Sequence, residues 1–180
     1  MSAGEPTVIT IPTLVTDRLI LRAWRPADIE PYAAINSDAE TMRHEGGTFG
    51  RSATFRLVSD LLGLWWLRGC GMWALESRAT GEFVGRAGLY EGWEWPGIEA
   101  AWTVRRDLWG HGLATEAGMA AVAWGWANLQ VDHLVSVITP ENLASRRVAE
   151  KLGFRLETLG VDVGPWKDQA LYRLDRPVSG

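Results

Sequence analysis

V-R-R-D-L-W-G-H-G-L-A-T-E-A-G-M-A-A-V-A-W-G-W occupies residues 104–126, in the middle of the chain. Gly110 and Gly112 precede a run over 113–126 that contains no proline and only one charged residue, Glu116. This pattern predicts a buried helix entered through a glycine-rich turn. The first N–H groups of a helix have no internal partner, and the aligned peptide dipoles place partial positive charge there. Because glycine lacks a Cβ atom, an anion can approach these donors, so the turn is either a phosphate cradle or an ordinary tight helix entry.

Composition places the chain among ordinary globular proteins. Its 180 residues, 47% hydrophobic and 22% charged, fit one domain with its own core. The formal net charge of -4 argues against a nucleic-acid-binding surface, since such surfaces need clustered Lys and Arg. Cys70 is the only cysteine, which excludes an internal disulfide and a multi-cysteine metal site. No spacing of His, Cys or carboxylate residues predicts a metal, so we expect none.

The termini and the tryptophan content give further expectations. The first residues lack the basic segment and long apolar core of a secretory signal, and no apolar run reaches the ~18 residues of a membrane span. We therefore expect a cytoplasmic protein with no membrane partner, in which residues 1–13 form a flexible arm and 14–180 a single domain. The 11 tryptophans are compatible with core packing and also with a homodimer interface.

Helix and strand patterns alternate along the chain, which predicts a mixed α/β (α+β) sandwich. Strands are expected at 18–25, 72–76, 83–90, 98–104, 134–139, 154–163 and 166–175, and helices at 29–36, 52–68, 113–126 and 142–152. The three strands from 72 to 104 should be antiparallel neighbours, because their links are too short for a crossover. The polar, glycine-containing composition of residues 38–50 predicts a mobile connection.

The helix at 52–68 has a candidate cap and a candidate apolar face. Ser52 is of a residue type that caps helix N-termini. The buried face is expected to consist of Phe55, Val58, Leu61, Leu62 and Trp65.

The second informative stretch, T-P-E-N-L-A-S-R-R-V-A-E-K-L-G-F, occupies residues 139–154. Asn142 is a natural N-cap and Gly153 a natural C-terminal stop for a helix between them. Taken alone, the stretch has a purely structural explanation: the Asn caps, Ser145 satisfies a backbone carbonyl, and the charges are solvated.

Taken in order, E-A-A-W-T-V, G-H-G-L-A-T-E-A and this late helix resemble the GNAT superfamily of acyl-CoA-dependent N-acyltransferases. The resemblance is greatest to the branch of the RimJ and RimL ribosomal-protein N-terminal acetyltransferases, whose opening is similar to T-D-R-L-I-L-R-A-W-R-P-A-D at 16–28. It extends over residues 14–175. It implies a GNAT-like, mostly antiparallel central sheet flanked by helices, with a splayed strand pair at the coenzyme site.

The resemblance also implies acetyl-CoA as the cosubstrate, which leaves the reaction as free coenzyme A. The glycine-rich turn would bind its pyrophosphate, and the strand through Trp102 and Val104 would pair with its pantetheine arm. The residues of the turn implied as contacts are Gly110, His111, Gly112, Leu113, Ala114 and Thr115.

Four residues beyond the turn have expected roles at the same site. Asn142 would hold the pantetheine arm, and Ser145 would lie near the sulfur. Arg105 would either neutralise phosphate or be a solvated strand-end charge, and Arg147 would either reach the adenosine phosphates or lie on a solvated helix face.

Acyl transfer to an amine needs a proton acceptor for the amine and a proton donor for the thiolate. One departure from the family pattern bears on the donor, because Ala149 stands where many members carry a tyrosine that protonates the departing thiolate. Ser145 is then the expected donor. Glu99 is the expected base, unless it is simply an exposed carboxylate on a strand. A backbone N–H between 102 and 104 would polarise the thioester oxygen. A second departure bears on phosphate binding, because Asp107 stands where the family's turn usually has Gln or Arg, and a carboxylate cannot donate to phosphate.

The acceptor is expected to be a primary amine, either a protein N-terminus or a small molecule. Its pocket would draw on Tyr32, Met42, His44, Trp65, Trp66, Trp93 and Trp166, although core packing explains the same residues. Two other classes stay open: a nonenzymatic acyl-CoA-binding or scaffold protein, and a dinucleotide-dependent oxidoreductase. The second lacks the third glycine of its motif, whose place Thr115 holds.

Overall fold

In the computed structural model, residues 9–177 are described, and they form one eight-stranded sheet with helices on both faces. The strands are β1 (Leu14–Val15), β2 (Leu19–Arg22), β3 (Met72–Ser77), β4 (Phe83–Tyr90), β5 (Glu99–Val104), β6 (His133–Ile138), β7 (Arg155–Val163) and β8 (Trp166–Asp175). The α-helices are α1 (Ile29–Ser37), α2 (Arg51–Arg68), α3 (Leu113–Asn128) and α4 (Leu143–Lys151), and Pro26–Asp28 and Arg106–Leu108 are short 3-10 helices. The predicted α/β fold is confirmed.

The strand order is β1-β2-β3-β4-β5-β6-β8-β7, and neighbours are antiparallel except β5 and β6. Successive side chains of a strand point to opposite faces. On β3, Met72 and Ala74 therefore pack against α1 and α2, whereas Trp73 and Leu75 pack on the other face, which α3 covers. The two faces thus have different apolar clusters, although Trp65 of α2 belongs to the one on the α3 face. Within the described residues no helix is long and apolar enough to cross a membrane.

Two expectations about α2 were wrong. The helix begins at Arg51 with Gly50 as its N-cap residue, so Ser52 lies inside the first turn and does not cap it. Phe55 is 61% exposed and Leu62 39% exposed. The stripe that faces the core consists of Thr54, Val58, Leu61 and Trp65. Its spacing of three and four residues is that of one helical face, and the predicted set wrongly included Phe55 and Leu62 and omitted Thr54.

Part of the predicted arm contacts the core, while residues 1–8 lie outside the described residues. Ile9 and Ile11 pack against the cluster on the α3 face, and the Pro12 carbonyl accepts a 2.7 Å hydrogen bond from Trp73 Nε1. The connection over 38–50 consists largely of turns, and Met42 within it is only 5% exposed.

Candidate active site

The predicted splayed strand pair is β5 and β6. They share a single register pair, Glu99 opposite Val135, and then separate. Beyond that pair, hydrogen bonds that involve side chains connect the two strands in place of backbone–backbone bonds. Ser136 Oγ donates to the Ala100 carbonyl at 3.0 Å, and the Val137 N–H donates to Glu99 Oε1 at 3.0 Å. The separation opens a gap in the middle of the sheet, next to the start of α3.

The β4–β5 ladder determines which β5 amides face this gap. The Arg105 N–H donates to the Val84 carbonyl, and because antiparallel pairs alternate, the odd-numbered β5 residues direct their backbone groups toward β4. The N–H groups of Trp102 and Val104 therefore point toward the gap. The Val104 carbonyl also points there, but it accepts a 2.7 Å hydrogen bond from Trp109 Nε1. The amides predicted for pantetheine and thioester binding thus have the required direction.

The glycine-rich turn leads from the end of β5 into α3. Gly110 and Gly112 both have φ of 80°, a left-handed conformation that side chains with a Cβ atom rarely adopt. The first α-helical bond runs from the Glu116 N–H to the Gly112 carbonyl, so the N–H groups of the three residues between them precede the helical ladder. Turns that alternate in this way direct successive N–H groups into one concavity, which favours an anion.

A cleft of about 290 Å³ joins the turn, β5 and α4. The predicted contacts that line it are Trp102, Val104, Gly110, Gly112, Leu113, Ala114, Thr115, Asn142, Ser145 and Arg147. Arg43 and Lys151 add further basic residues to this lining.

Arg105 and His111 are not part of this lining as the structure has it. Arg105 Nε donates to Asp107 Oδ1 at 2.7 Å, and Arg105 Nη2 lies 3.5 Å from Glu82 Oε2. Asp107, which stands where the family usually has Gln or Arg, therefore forms a surface ion pair with Arg105. The side chain of His111 is exposed.

Helix α4 presents Asn142 and Ser145 at the point where its N-terminus meets the gap. Asn142 is the N-cap, and its Oδ1 accepts a 3.1 Å hydrogen bond from the Ser145 N–H. The cap therefore fixes the position of Ser145 relative to the cleft. Ala149 is fully buried in the core, one turn further along α4. Its methyl group cannot supply the proton that a tyrosine would.

A second cavity of about 230 Å³ lies on the other side of the gap, and it contains Glu99, Arg86 and Trp95 in its wall. The residues common to both cavities are His44, Glu45, Trp102, Asn142 and Ser145. The two cavities are therefore adjoining halves of one site, and Ser145 lies at their junction.

Glu99 is not an exposed strand carboxylate, since only 8% of the residue is accessible. Its Oε2 accepts a 2.8 Å hydrogen bond from Trp95 Nε1, and its Oε1 accepts the Val137 N–H. Burial raises the pKa of Glu99 to about 7, although both hydrogen bonds favour the ionised form and lower it. The carboxyl group can thus exchange a proton near neutral pH while both oxygens stay oriented.

Arg86 and Glu45 add a buried cation and a second carboxylate to the same cavity. Arg86 Nη2 lies 4.0 Å from Glu45 Oε2, and Arg86 Nε is buried without a hydrogen-bond partner among residues 9–177. Burial raises the pKa of Glu45, and the charge of Arg86 opposes that shift. Sequence reasoning missed Arg86, although a lone charge in the apolar strand F-V-G-R-A-G-L-Y was a usable signal.

The residues expected at the acceptor pocket divide into three groups. His44 and Trp166 line the second cavity, as do Tyr90 and Trp95. Tyr32 and Met42 line a neighbouring depression that also touches Trp166. Trp65, Trp66 and Trp93 line neither cavity. Trp65 instead belongs to the core, and Trp66 and Trp93 are 56% and 83% exposed.

Comparison with known proteins identifies this arrangement. Residues 18–155 match the acetyltransferase (GNAT) domain family. This chain belongs to the GNAT acetyltransferase family. The uncharacterized protein YkkB of Bacillus subtilis (strain 168) is 31% identical to this GNAT protein in an alignment of 148 residues that covers 78% of this chain and 83% of YkkB.

Two solved GNAT structures share the fold. The acetyltransferase of Agrobacterium tumefaciens str. C58 has a TM-score of 0.84 and 29% identity, covering 97% of this chain and 100% of its own. RimL, the ribosomal L7/L12 α-N-protein acetyltransferase solved in complex with coenzyme A, has a TM-score of 0.73 and 17% identity, covering 90% of this chain and 96% of its own. The latter likeness concerns the fold.

Family membership confirms the resemblance drawn from the sequence. The protein is an acyl-CoA-dependent acetyltransferase, and neither a nonenzymatic binder nor a dinucleotide-dependent oxidoreductase is favoured. GNAT acetyltransferases use acetyl-CoA and act on amine acceptors. Within residues 9–177 no group of three or more His, Cys, Asp or Glu side chains is arranged to hold a metal ion.

Proposed function

We propose that this enzyme transfers an acetyl group from acetyl-CoA to a primary amine by direct attack, with both substrates bound at once. The observation that carries this proposal is the junction of the two cavities. One cavity is lined by the glycine-rich turn, whose last amides precede the helical ladder, the other contains Glu99, and Ser145 lines both. Holding both reactants in one site removes most of the entropic cost of bringing them together.

The cleft has the chemistry that coenzyme A needs. The amides of Gly112, Leu113 and Ala114 would hold the diphosphate. The basic side chains of Arg147 and Lys151 line the same cleft and would bind the phosphate on the adenosine of coenzyme A. Since the amide-bearing pantetheine arm is peptide-like, it would pair with the β5 backbone groups that face the gap. The residues present therefore fit the cosubstrate.

When bound, acetyl-CoA supplies a thioester: the amine nitrogen bonds to its carbonyl carbon, the C–S bond breaks, the amine loses one proton and the thiolate gains one. Glu99 would accept the proton of the amine, directly or through a water molecule, because its pKa lies near neutral pH. The N–H of Trp102 or Val104 would polarise the thioester oxygen. The Ser145 hydroxyl would donate toward sulfur.

The acceptor cavity favours a primary amine. Two carboxylates, Glu99 and Glu45, and the aromatic rings of Tyr90, Trp95 and Trp166 line a space of about 230 Å³. Carboxylates attract a protonated amine, and aromatic faces favour a cation as well as apolar groups. A protein N-terminus or a small amine would fit this end of the site.

The experiment is a thiol-release assay with acetyl-CoA and a panel of primary amines: a polyamine, amino acid amides, and peptides with a free N-terminus. The matched control is the same peptide with its N-terminus blocked. We expect release of free coenzyme A only with free amines. A rise in melting temperature with coenzyme A but no release with any amine would instead favour a nonenzymatic binder, and no effect of coenzyme A would refute the assigned cleft.

A further inference from the structure

Arg18, in the turn between β1 and β2, contacts the glycine-rich turn from outside the coenzyme cleft. Its Nη1 donates to the His111 carbonyl at 2.7 Å, and its Nε donates to Glu116 Oε2 at 2.6 Å. The backbone N–H of Arg18 and the hydroxyl of Thr16 both donate to Glu116 Oε1, at 2.8 and 2.6 Å. One arginine thus ties the turn and the first turn of α3 to a segment about ninety residues earlier.

The contact to His111 determines the direction of an amide in the cleft. In a trans peptide the C=O of one residue and the N–H of the next point in opposite directions. Because Arg18 holds the His111 carbonyl on the outer side, the Gly112 N–H is directed to the inner side, where Gly112 lines the cleft. The guanidinium also polarises this peptide, which makes its N–H a stronger donor.

Arg18 also neutralises a charge that opposes anion binding. Glu116 lies in the first turn of α3, beside the amides proposed to hold the diphosphate, and its side chain is only 16% exposed. Burial raises the pKa of Glu116, but hydrogen bonds from Thr16 and Arg18 outweigh that effect and keep its pKa below the usual value. The carboxylate is therefore ionised, and without Arg18 it would repel a bound diphosphate.

We propose that Arg18 is a positioning residue for the coenzyme: it directs the Gly112 N–H at the diphosphate and cancels the charge of Glu116, without contacting the ligand. This inference rests on the proposed coenzyme site. It assigns a role in cosubstrate binding to the T-D-R segment at 16–18, which lies outside both cavities.

The test compares Arg18→Ala with Arg78→Ala. Arg78 is the matched control because its Nη1 donates to the carbonyls of Thr16 and Asp17. Its loss therefore removes one positive charge and loosens the 16–18 segment, but it leaves the hydrogen bond from Arg18 to the His111 carbonyl in place. Coenzyme A binding is measured by calorimetry, and thiol release is measured with acetyl-CoA and with S-acetylpantetheine, which has no diphosphate. Circular dichroism checks that each variant is folded.

We expect Arg18→Ala to raise the Kd for coenzyme A and the KM for acetyl-CoA by about tenfold or more, with kcat little changed. With S-acetylpantetheine, kcat/KM should stay within about twofold of the native enzyme, since only the diphosphate contact is affected. Arg78→Ala should bind coenzyme A within about threefold of the native enzyme.

Three results would overturn the role of Arg18: unchanged coenzyme A binding in Arg18→Ala, equal weakening in Arg78→Ala, or equal loss with S-acetylpantetheine. If Arg18→Ala does not fold, Arg18→Lys decides by the same criteria, because one ammonium group keeps the charge but cannot reproduce the two-point geometry of the guanidinium. Failure of the native protein to bind coenzyme A would instead refute the proposed function.

Discussion

Glu99 Oε1 accepts the Val137 N–H at 3.0 Å, at the point where β5 and β6 separate. A side-chain carboxylate thus takes the place of a backbone acceptor of the sheet. This contact fixes one oxygen of a buried carboxyl group beside the gap that the two substrates would share, and Trp95 Nε1 fixes the other oxygen. Burial raises the pKa of this proposed base, and both hydrogen bonds oppose that shift.

Replacement of Glu99 by Gln should lower kcat/KM by roughly 100-fold, the lower end of what a positioned general base contributes. In the native enzyme kcat/KM should rise with pH through about 7, where the Glu99 pKa lies, because only the ionised form accepts a proton. The measurement uses an aromatic amine acceptor with a pKa well below 7, so that ionisation of the acceptor does not contribute to the profile.

Glu94→Gln is the matched control, since this exposed residue lies five positions away and lines neither cavity. It should leave both the rate and the pH profile unchanged. A Glu99→Gln variant that kept the native rate at pH 8, or a native profile without a step near neutral pH, would remove Glu99 from the role of base.

The same carboxyl group should make stability depend on pH. A folded-state pKa raised from 4.5 to about 7 means that the native state holds the proton more tightly than the unfolded chain. The stabilisation from this group is thus complete below pH 4.5 and is lost as the pH rises through 7. Between pH 4.5 and 8, the free energy of unfolding of the native protein should fall relative to Glu99→Gln by at most about 3 kcal/mol. Urea denaturation across that range measures the difference, and a constant difference would contradict the buried-carboxylate assignment.

Sequence patterns predicted most of the fold because short links and glycine stops leave few arrangements. The hairpin links from 72 to 104 required antiparallel pairing, and α3 begins at Leu113, where the glycine-rich turn placed it. Helix α2 was less accurately predicted. Phe55 and Leu62 fit the apolar pattern of the sequence, but in the structure they lie on the exposed surface of the helix.

The site was only partly predictable, because its main features depend on residues that are distant in the chain. Local sequence predicted the glycine-rich entry to α3 and the Asn142 cap. It did not reveal that Val137 and Trp95 would enclose Glu99, nor that Arg18 would bond to the His111 carbonyl. Burial and pairing of this kind follow from the register of β5 against β6 and from the packing of the β1–β2 turn, which no single motif encodes.

Ser145→Ala should lower kcat by about tenfold while leaving the Kd for coenzyme A within about twofold. The Asn142 cap accepts the backbone N–H of residue 145, so the substitution removes the hydroxyl without altering α4. Calorimetry and steady-state kinetics separate the two quantities. Ser59→Ala, at an exposed helical serine of α2 that lines neither cavity, is the control and should change neither. An unchanged kcat in Ser145→Ala would exclude this hydroxyl as the proton donor.

Gly112→Val should weaken coenzyme A binding by more than about tenfold, because a branched residue is strained at φ of 80° and its added Cβ would lie 3.6 Å from Arg18 Nη2, so its methyl groups would crowd the guanidinium and the turn would shift. Gly81→Val is the matched control for backbone strain. Gly81 has φ of 71° in the β3–β4 turn and, like Gly112, has no atom closer than 3.4 Å to an added Cβ. Each substitution should cost about 1–2 kcal/mol of stability, since both residues are left-handed. Only Gly112→Val should also change the heat of coenzyme A binding in calorimetry. If both variants bound coenzyme A equally well, the turn would not be the diphosphate site.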